Sequence, residues 1–174
     1  ILASLAVFGP AAWLAYPEVF EVSRQLMAQG QNVFWLRMTT PYAALRYYAT
    51  PEAAMAVQAM ITLAMLALTM IFARRTRDSL ASGALMLAAT AVASPYLFSY
   101  DLPFLAVPVF WLIADGRARG WRPYEKLLVA GLYLAPLATR AAALPLEINL
   151  MPIPALAMVA LIWNRGSIEG ARVP

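Results

Sequence analysis

The chain has 174 residues, 63% of them hydrophobic and only 13% charged, with a formal net charge of +4. A soluble domain averages about 25% charged residues, so roughly half the usual polar surface is missing and an integral membrane protein is expected. Cysteine and histidine are both absent, which excludes thiol catalysis, disulfides, Cys/His zinc sites, Ser-His-Asp triads and imidazole proton relays.

Any acid–base chemistry therefore falls to the nine carboxylates, the single Lys126, tyrosines or arginines. The basic residues gather in short clusters between apolar runs, the pattern of cytoplasmic loops, and no nucleic-acid partner is expected. Neither GxGxxG nor GKS/T occurs, so a nucleotide-binding fold is not expected.

Ile1 to Tyr16 reads as the remainder of a membrane helix interrupted at Gly9-Pro10. An apolar start without Met or a basic leader reads as the C-terminal part of a longer polytopic protein, not as a signal peptide. Pro17 to Thr50 is an outer polar and aromatic segment. Within it Val19, Val22 and Leu26, with Phe20 and Met27 beside them, share one helical face. Glu18, Glu21 and Arg24 occupy the other, and Gly30 is the expected stop. Such a helix lies in the membrane interface. Phe34, Trp35, Tyr42, Tyr47 and Tyr48 then supply an aromatic belt.

Thr40-Pro41 and Thr50-Pro51 each place a capping hydroxyl before a proline at the first helical position. The second pair opens the clearest span, Ala53 to Ala73, 21 residues without a charge, ending at Arg74, Arg75 and Arg77. The next span begins near Leu80, and Gly83, Ala84, Ala88, Ala89, Ala91 and Ala93 give it small faces suited to close helix contact. Pro95 stops it about 22 Å along, at ~1.5 Å per residue. A return helix is expected from Leu102 to Ala114. Both arms fall short of the ~30 Å hydrocarbon core, so the Pro95–Pro103 turn is expected to be recessed and to line a cavity.

Asp115 to Lys126 reads as a polar loop carrying Arg117, Arg119 and Arg122. A further span covers Leu127 to about Thr139, followed by Arg140 and a loop through Pro145, Glu147 and Asn149. A last span runs from Leu150 to Trp163, before a polar tail. The expectation is an all-α, polytopic transmembrane bundle of about six spans, with residues 1–174 in a single membrane domain and no internal repeat. The Arg74, Arg117 and C-terminal regions carry nine of the thirteen basic residues, which places them and the C-terminus in the cytoplasm. These clusters read as topology signals. Asp101, Arg140 and the 17–50 segment then share the outer side.

Asp101 is the only charge between Asp78 and Asp115. A carboxylate at a membrane helix costs on the order of 2.5–3.5 kcal/mol at its centre and less toward the interface, and usually faces a cavity or path. It either lines a substrate site or caps its helix, and the two roles are compatible. Tyr96 and Tyr100 are site residues or interface anchors. Arg140 is a phosphate contact, matched by its forked donors, or an arginine snorkelling outward. Arg37 and Arg46 stand among aromatics on the same side, near lipid headgroups or in the site.

The segment Leu87–Pro108, with Ser94-Pro95-Tyr96 and Tyr100-Asp101-Leu102, resembles the late signature of glycosyltransferase family 87. The upstream arrangement is similar too: a broken helix, an amphipathic outer segment, then Trp35 and the stretch Thr40 to Arg46. The resemblance implies a GT-C-type membrane enzyme of a bacterial inner membrane. It would move a hexose, often mannose, from a polyprenyl-phosphate carrier to a lipid or glycan acceptor on the outer face. It implies inverting transfer with no cofactor or metal site, membrane lipids as neighbours, and a catalytic acid in a first outer loop to which no residue here corresponds. Asp101, Tyr100, Tyr96, Arg140, Arg37 and Arg46 would bind substrate. The competing readings are a secondary transporter or lipid carrier, favoured by broken helices and an intramembrane acid, and a non-catalytic membrane subunit.

Overall fold

A computed structural model describes residues 2–29 and 35–166. Gly30, Phe34 and the C-terminal tail lie outside the described residues, as do the side chains of Arg24, Leu26 and Met27. The chain divides into two compact units, residues 1–34 and 35–174.

The first unit is one broken helix, α1 (Leu2–Gln29). Gly9 leaves helical geometry at φ 72°, ψ 170°. Only glycine takes that conformation freely, and the residue before a proline is pushed out of the α region in any case. The expected break at Gly9-Pro10 is therefore present. The expected boundary at Pro17 is not: the helix runs through it, because proline removes one donor and the following turns re-form the ladder. Tyr16 stacks on Phe20, with ring centroids 6.5 Å apart, and Gln25 donates to Glu21 at 3.2 Å. Both are contacts one turn apart along the helix.

The second unit contains α2 (Pro41–Leu45), α3 (Pro51–Arg75), α4 (Ser79–Ala93), a 3-10 helix (Ser99–Leu105), α5 (Ala106–Arg119), α6 (Glu125–Leu146) and α7 (Pro152–Gly166). Among the described residues there is no strand, only one antiparallel bridge between Met38 and Phe98. Thr40 and Thr50 cap α2 and α3 as expected, accepting from Ala43 and Ala53 N–H. Asp78 caps α4 by accepting from Leu80 and Ala81 N–H.

Helix α4 is the centre of the unit. It packs on α3, α5, α7 and the 3-10 helix. Ala81, Ala84, Ala88, Ala89 and Ala91 are buried there, with Leu85 and Val92 between them. Alanines let several neighbours approach one backbone closely, and the larger side chains of α5 and α7, such as Leu112, Met158 and Ile162, fill the gaps.

Two of the described helices, α3 and α6, are long and apolar enough to cross a membrane; α4 is apolar but has 15 residues. Two helix ends differ from expectation. The return arm is a 3-10 helix followed by α5, and it reaches Arg119 instead of stopping at Ala114, so it is not short. Asp115 is therefore helical, paired with Arg119 one turn on, and Gly120 ends the helix at φ 87°. Helix α6 likewise runs past Thr139 and through Arg140 to Leu146. Arginine is a good helix former, and the stop comes only at Glu147, in the left-handed conformation.

Candidate functional site

The turn between α4 and α5 is tied to the segment before α2 by backbone groups. Thr39 N–H donates to Leu97 C=O at 2.8 Å, and Ser99 N–H donates to Arg37 C=O at 3.2 Å. Side chains reinforce the pairing. Thr39 Oγ1 donates to the same Leu97 oxygen at 3.2 Å, and Thr40 Oγ1 donates to Pro95 C=O at 2.9 Å. The Thr40 hydroxyl, fully buried, thus serves two segments: it caps α2 with its lone pair and holds the turn with its proton. Asn149 adds a third strand of chain, donating from Nδ2 to Met38 C=O at 2.8 Å while its Oδ1 accepts from Met151 N–H at 3.3 Å.

Below this junction lies Gln58, fully buried within α3. Its Oε1 accepts from Tyr42 N–H at 2.8 Å, and its Nε2 donates to Val92 and Ala93 C=O, each at 3.0 Å. Thr62, one turn on, donates to Ala93 C=O at 2.6 Å. The last carbonyls of α4 have no partner within their own helix, and α3 provides one.

Each expected site residue has a definite place around the junction. Asp101 sits in the first turn of the 3-10 helix, half-buried, where Oδ2 accepts from Phe98 N–H at 2.9 Å. It is a cap, as one reading held. Tyr100 is 73% exposed, its ring stacked on Phe98 with centroids 5.3 Å apart. Tyr96 packs edge-on against buried Tyr42 at 5.5 Å. Arg37 is exposed, and its backbone pairs with Ser99. Arg46 is used within its own loop: its guanidinium lies 4.3 Å over the Trp35 ring and donates to Ala49 C=O at 2.7 Å. Arg140 reaches a crevice of about 10 Å³ between Leu36, Met38, Thr39, Asn149 and Met151, with Nη1 buried and no hydrogen-bond partner. That space is water-sized.

Beside the Asp101 turn, Ser99, Leu102, Pro103, Val109, Tyr133 and Pro136 line a largely apolar cavity of about 350 Å³. A second apolar groove, about 740 Å³, follows α6 and α7 from Ile153 to Arg122.

The far end of the unit is built from charges. Arg165, buried at the end of α7, pairs with Asp115 of α5 and Glu125 of α6 and donates to Gly120 C=O at 3.0 Å. Arg119 takes the other oxygen of Asp115, and Glu125 accepts from Arg122 N–H at 2.9 Å. Trp121 lies beneath Arg165, 5.7 Å from ring centroid to guanidinium. Arg119 and Arg165 are thus not only topology signals, as expected from their spacing: burial forces Arg165 into ion pairs, and Arg119, itself exposed, pairs with the buried carboxylate of Asp115.

Residues that reasoning from sequence passed over include Thr39, Gln58, Asn149 and Glu147. Gln58 and Thr62 carried a visible signal, polar groups one turn apart in an otherwise apolar span. Asn149 carried none, since its partner lies 111 residues away.

The described structure is all-helical, with its hydrogen-bonded loop junction and its ion-paired cluster at opposite ends of the second unit. Within that class the chain belongs to glycosyltransferase family 87, whose sequence model matches residues 1–95. No curated protein and no solved structure matches it. The family and the two apolar helices point to a membrane protein that acts as a glycosyltransferase.

Proposed function

We propose that this chain is part of a GT-C-type enzyme that moves a hexose, mannose in the first instance, from a polyprenyl-phosphate carrier to a lipid or glycan acceptor. The observation that carries the reading is the reach of the family match. It spans α1 to α4 and ends at Pro95, the residue whose carbonyl Thr40 holds. The matched region therefore contains the Arg37–Thr40 side of the junction, Arg46 and α4 as far as Pro95, while Tyr96, Tyr100, Asp101 and Arg140 follow it in the chain.

In an inverting transfer the acceptor hydroxyl attacks the anomeric carbon, the bond to the phosphate oxygen breaks, and a carboxylate takes the hydroxyl proton. Cations or dipoles stabilise the departing phosphate. Arg140, with a buried unpartnered nitrogen beside the junction, is suited to the phosphate once the crevice widens. The apolar cavity beside Leu102 and Tyr133 is suited to part of an isoprenoid chain. Asp101, Tyr100, Tyr96, Arg37 and Arg46 are assigned to substrate binding, and none of them to the base. No cofactor enters the scheme. The junction faces the outer side of a bacterial inner membrane, with about six spans in this part of the protein and the C-terminus in the cytoplasm.

Asp101→Asn in the full-length protein tests the assignment. Hexose transfer should fall about tenfold or more, equivalent to about 1.4 kcal/mol, with membrane insertion unchanged. Undiminished transfer would leave Asp101 as the cap of Phe98 and nothing else. Ion-coupled uptake into vesicles, with no sugar transfer by the wild type, would move the protein to the transporter class.

A further inference from the structure

Glu147 has no part in the scheme above, yet it is a carboxylate held in an uncommon backbone conformation at the same junction. Its φ of 53° puts a non-glycine residue in the left-handed region, which is favoured at helix ends but costs a side-chain-bearing residue some strain. Oε2 accepts from Tyr47 Oη at 2.7 Å, across 100 positions of sequence. Both partners are fixed from behind. Tyr47 follows Arg46, which is clamped over Trp35 and bonded to Ala49 C=O; Glu147 stands two residues before Asn149, which is bonded to Met38 C=O.

The bond to Tyr47 leaves Glu147 with spare acceptor capacity, since a carboxylate offers about four lone-pair sites. Glu147 is exposed, and the Tyr47 ring lies 5.5 Å from that of Tyr48, which is 75% exposed. The chemistry of this trio narrows its ligand. A carboxylate repels phosphate. A hard cation needs several oxygen ligands, and no group of three acidic residues occurs among the described residues. A neutral polyol fits: its hydroxyls donate to the carboxylate, and its C–H face rests on an exposed aromatic ring.

We propose that Glu147, Tyr47 and Tyr48 form a binding site for the hydroxyls of a pyranose ring. The site rests on the transferase reading, and the ring belongs either to the donor hexose or to the acceptor.

Steady-state transfer by the full-length protein in membranes tests it, with polyprenyl-phosphate hexose and acceptor varied in turn. Glu147→Gln keeps an oxygen for Tyr47 but loses the charge, and Tyr48→Ala removes the ring without breaking a side-chain hydrogen bond. Each should raise one KM about tenfold and leave kcat within about twofold. A rise in the donor KM places the donor sugar here; a rise in the acceptor KM places the acceptor. If both KM values stay at wild-type levels in both variants, or kcat alone falls, the site is overturned while the transferase reading stands. A wild-type protein that transfers no hexose overturns both. Should Glu147→Gln lower the melting temperature, Tyr48→Ala alone decides.

Discussion

The two ends of the second unit hold their polar groups in opposite ways. At the Arg165 end, charges meet charges: two carboxylates from α5 and α6 close on one buried guanidinium, and a second arginine takes the oxygen left over. At the Thr40 end, neutral side chains meet backbone. Threonine hydroxyls, one glutamine and one asparagine satisfy the carbonyls of a turn and a helix terminus. The acids there, Asp101 and Glu147, each accept one hydrogen bond and stay partly open. At the Arg165 end the buried carboxylates are consumed in ion pairs. At the Thr40 end, where the scaffold is neutral, Asp101, Glu147 and Arg140 keep hydrogen-bonding capacity in reserve. That contrast is the physical reason to look for substrate at the Thr40 end.

Breaking the charged end should have the largest effect. Arg165→Ala strands Asp115 and Glu125 with their principal cation gone, and a loss of about 3–5 kcal/mol is expected. Thermal unfolding of the full-length protein in detergent micelles reads it. A melting temperature equal to the wild type would show that the cluster is not buried in the membrane-embedded protein.

Gly166 sharpens the same point by shape alone. A Cβ at that position would run into the ring of Phe72, which is itself buried and 5.5 Å from Trp163. Gly166→Ala should destabilise by about 1–3 kcal/mol, and Phe72→Leu in the same chain should recover part of it. Independent, additive losses in the double variant would contradict this packing.

The smallest stability effect is expected at the neutral end. Thr40→Val keeps the shape but removes both the cap and the bond to Pro95, costing about 1–2 kcal/mol. The transfer rate should suffer more than stability, because the Pro95–Asp101 turn loses one of its ties to the Arg37–Thr40 segment. Proteolysis in the 35–50 loop of native membranes should rise with it. A variant that keeps wild-type transfer would detach this junction from catalysis.

Much of the architecture was legible because it is local. The caps at Thr40 and Thr50, the break at Gly9-Pro10 and the stop before Pro95 all follow from the geometry of a few adjacent residues. The alanine stripe of α4 announced close packing before any neighbour was known. Helix ends without such punctuation were misplaced. Helices α5 and α6 run to Arg119 and Leu146, past the expected ends at Ala114 and Thr139, because tertiary pairing at Asp115 and a helix-compatible Arg140 carry the ladder on. For the site, Asp101 stood out as a lone charge between apolar runs. Gln58 and Glu147 did not, because neither is unusual until its partner is known.

The sequence by itself determined an apolar, helical chain without thiol or imidazole chemistry, with a carboxylate turn between two helices, since composition and adjacent-residue sterics suffice for that. Only the tertiary structure decided which polar groups are spent and which are free. Hydrogen bonds and ion pairs are satisfied by whichever group burial brings near, and here those partners lie as far apart in sequence as Thr40 and Pro95, Asp115 and Arg165, or Met38 and Asn149.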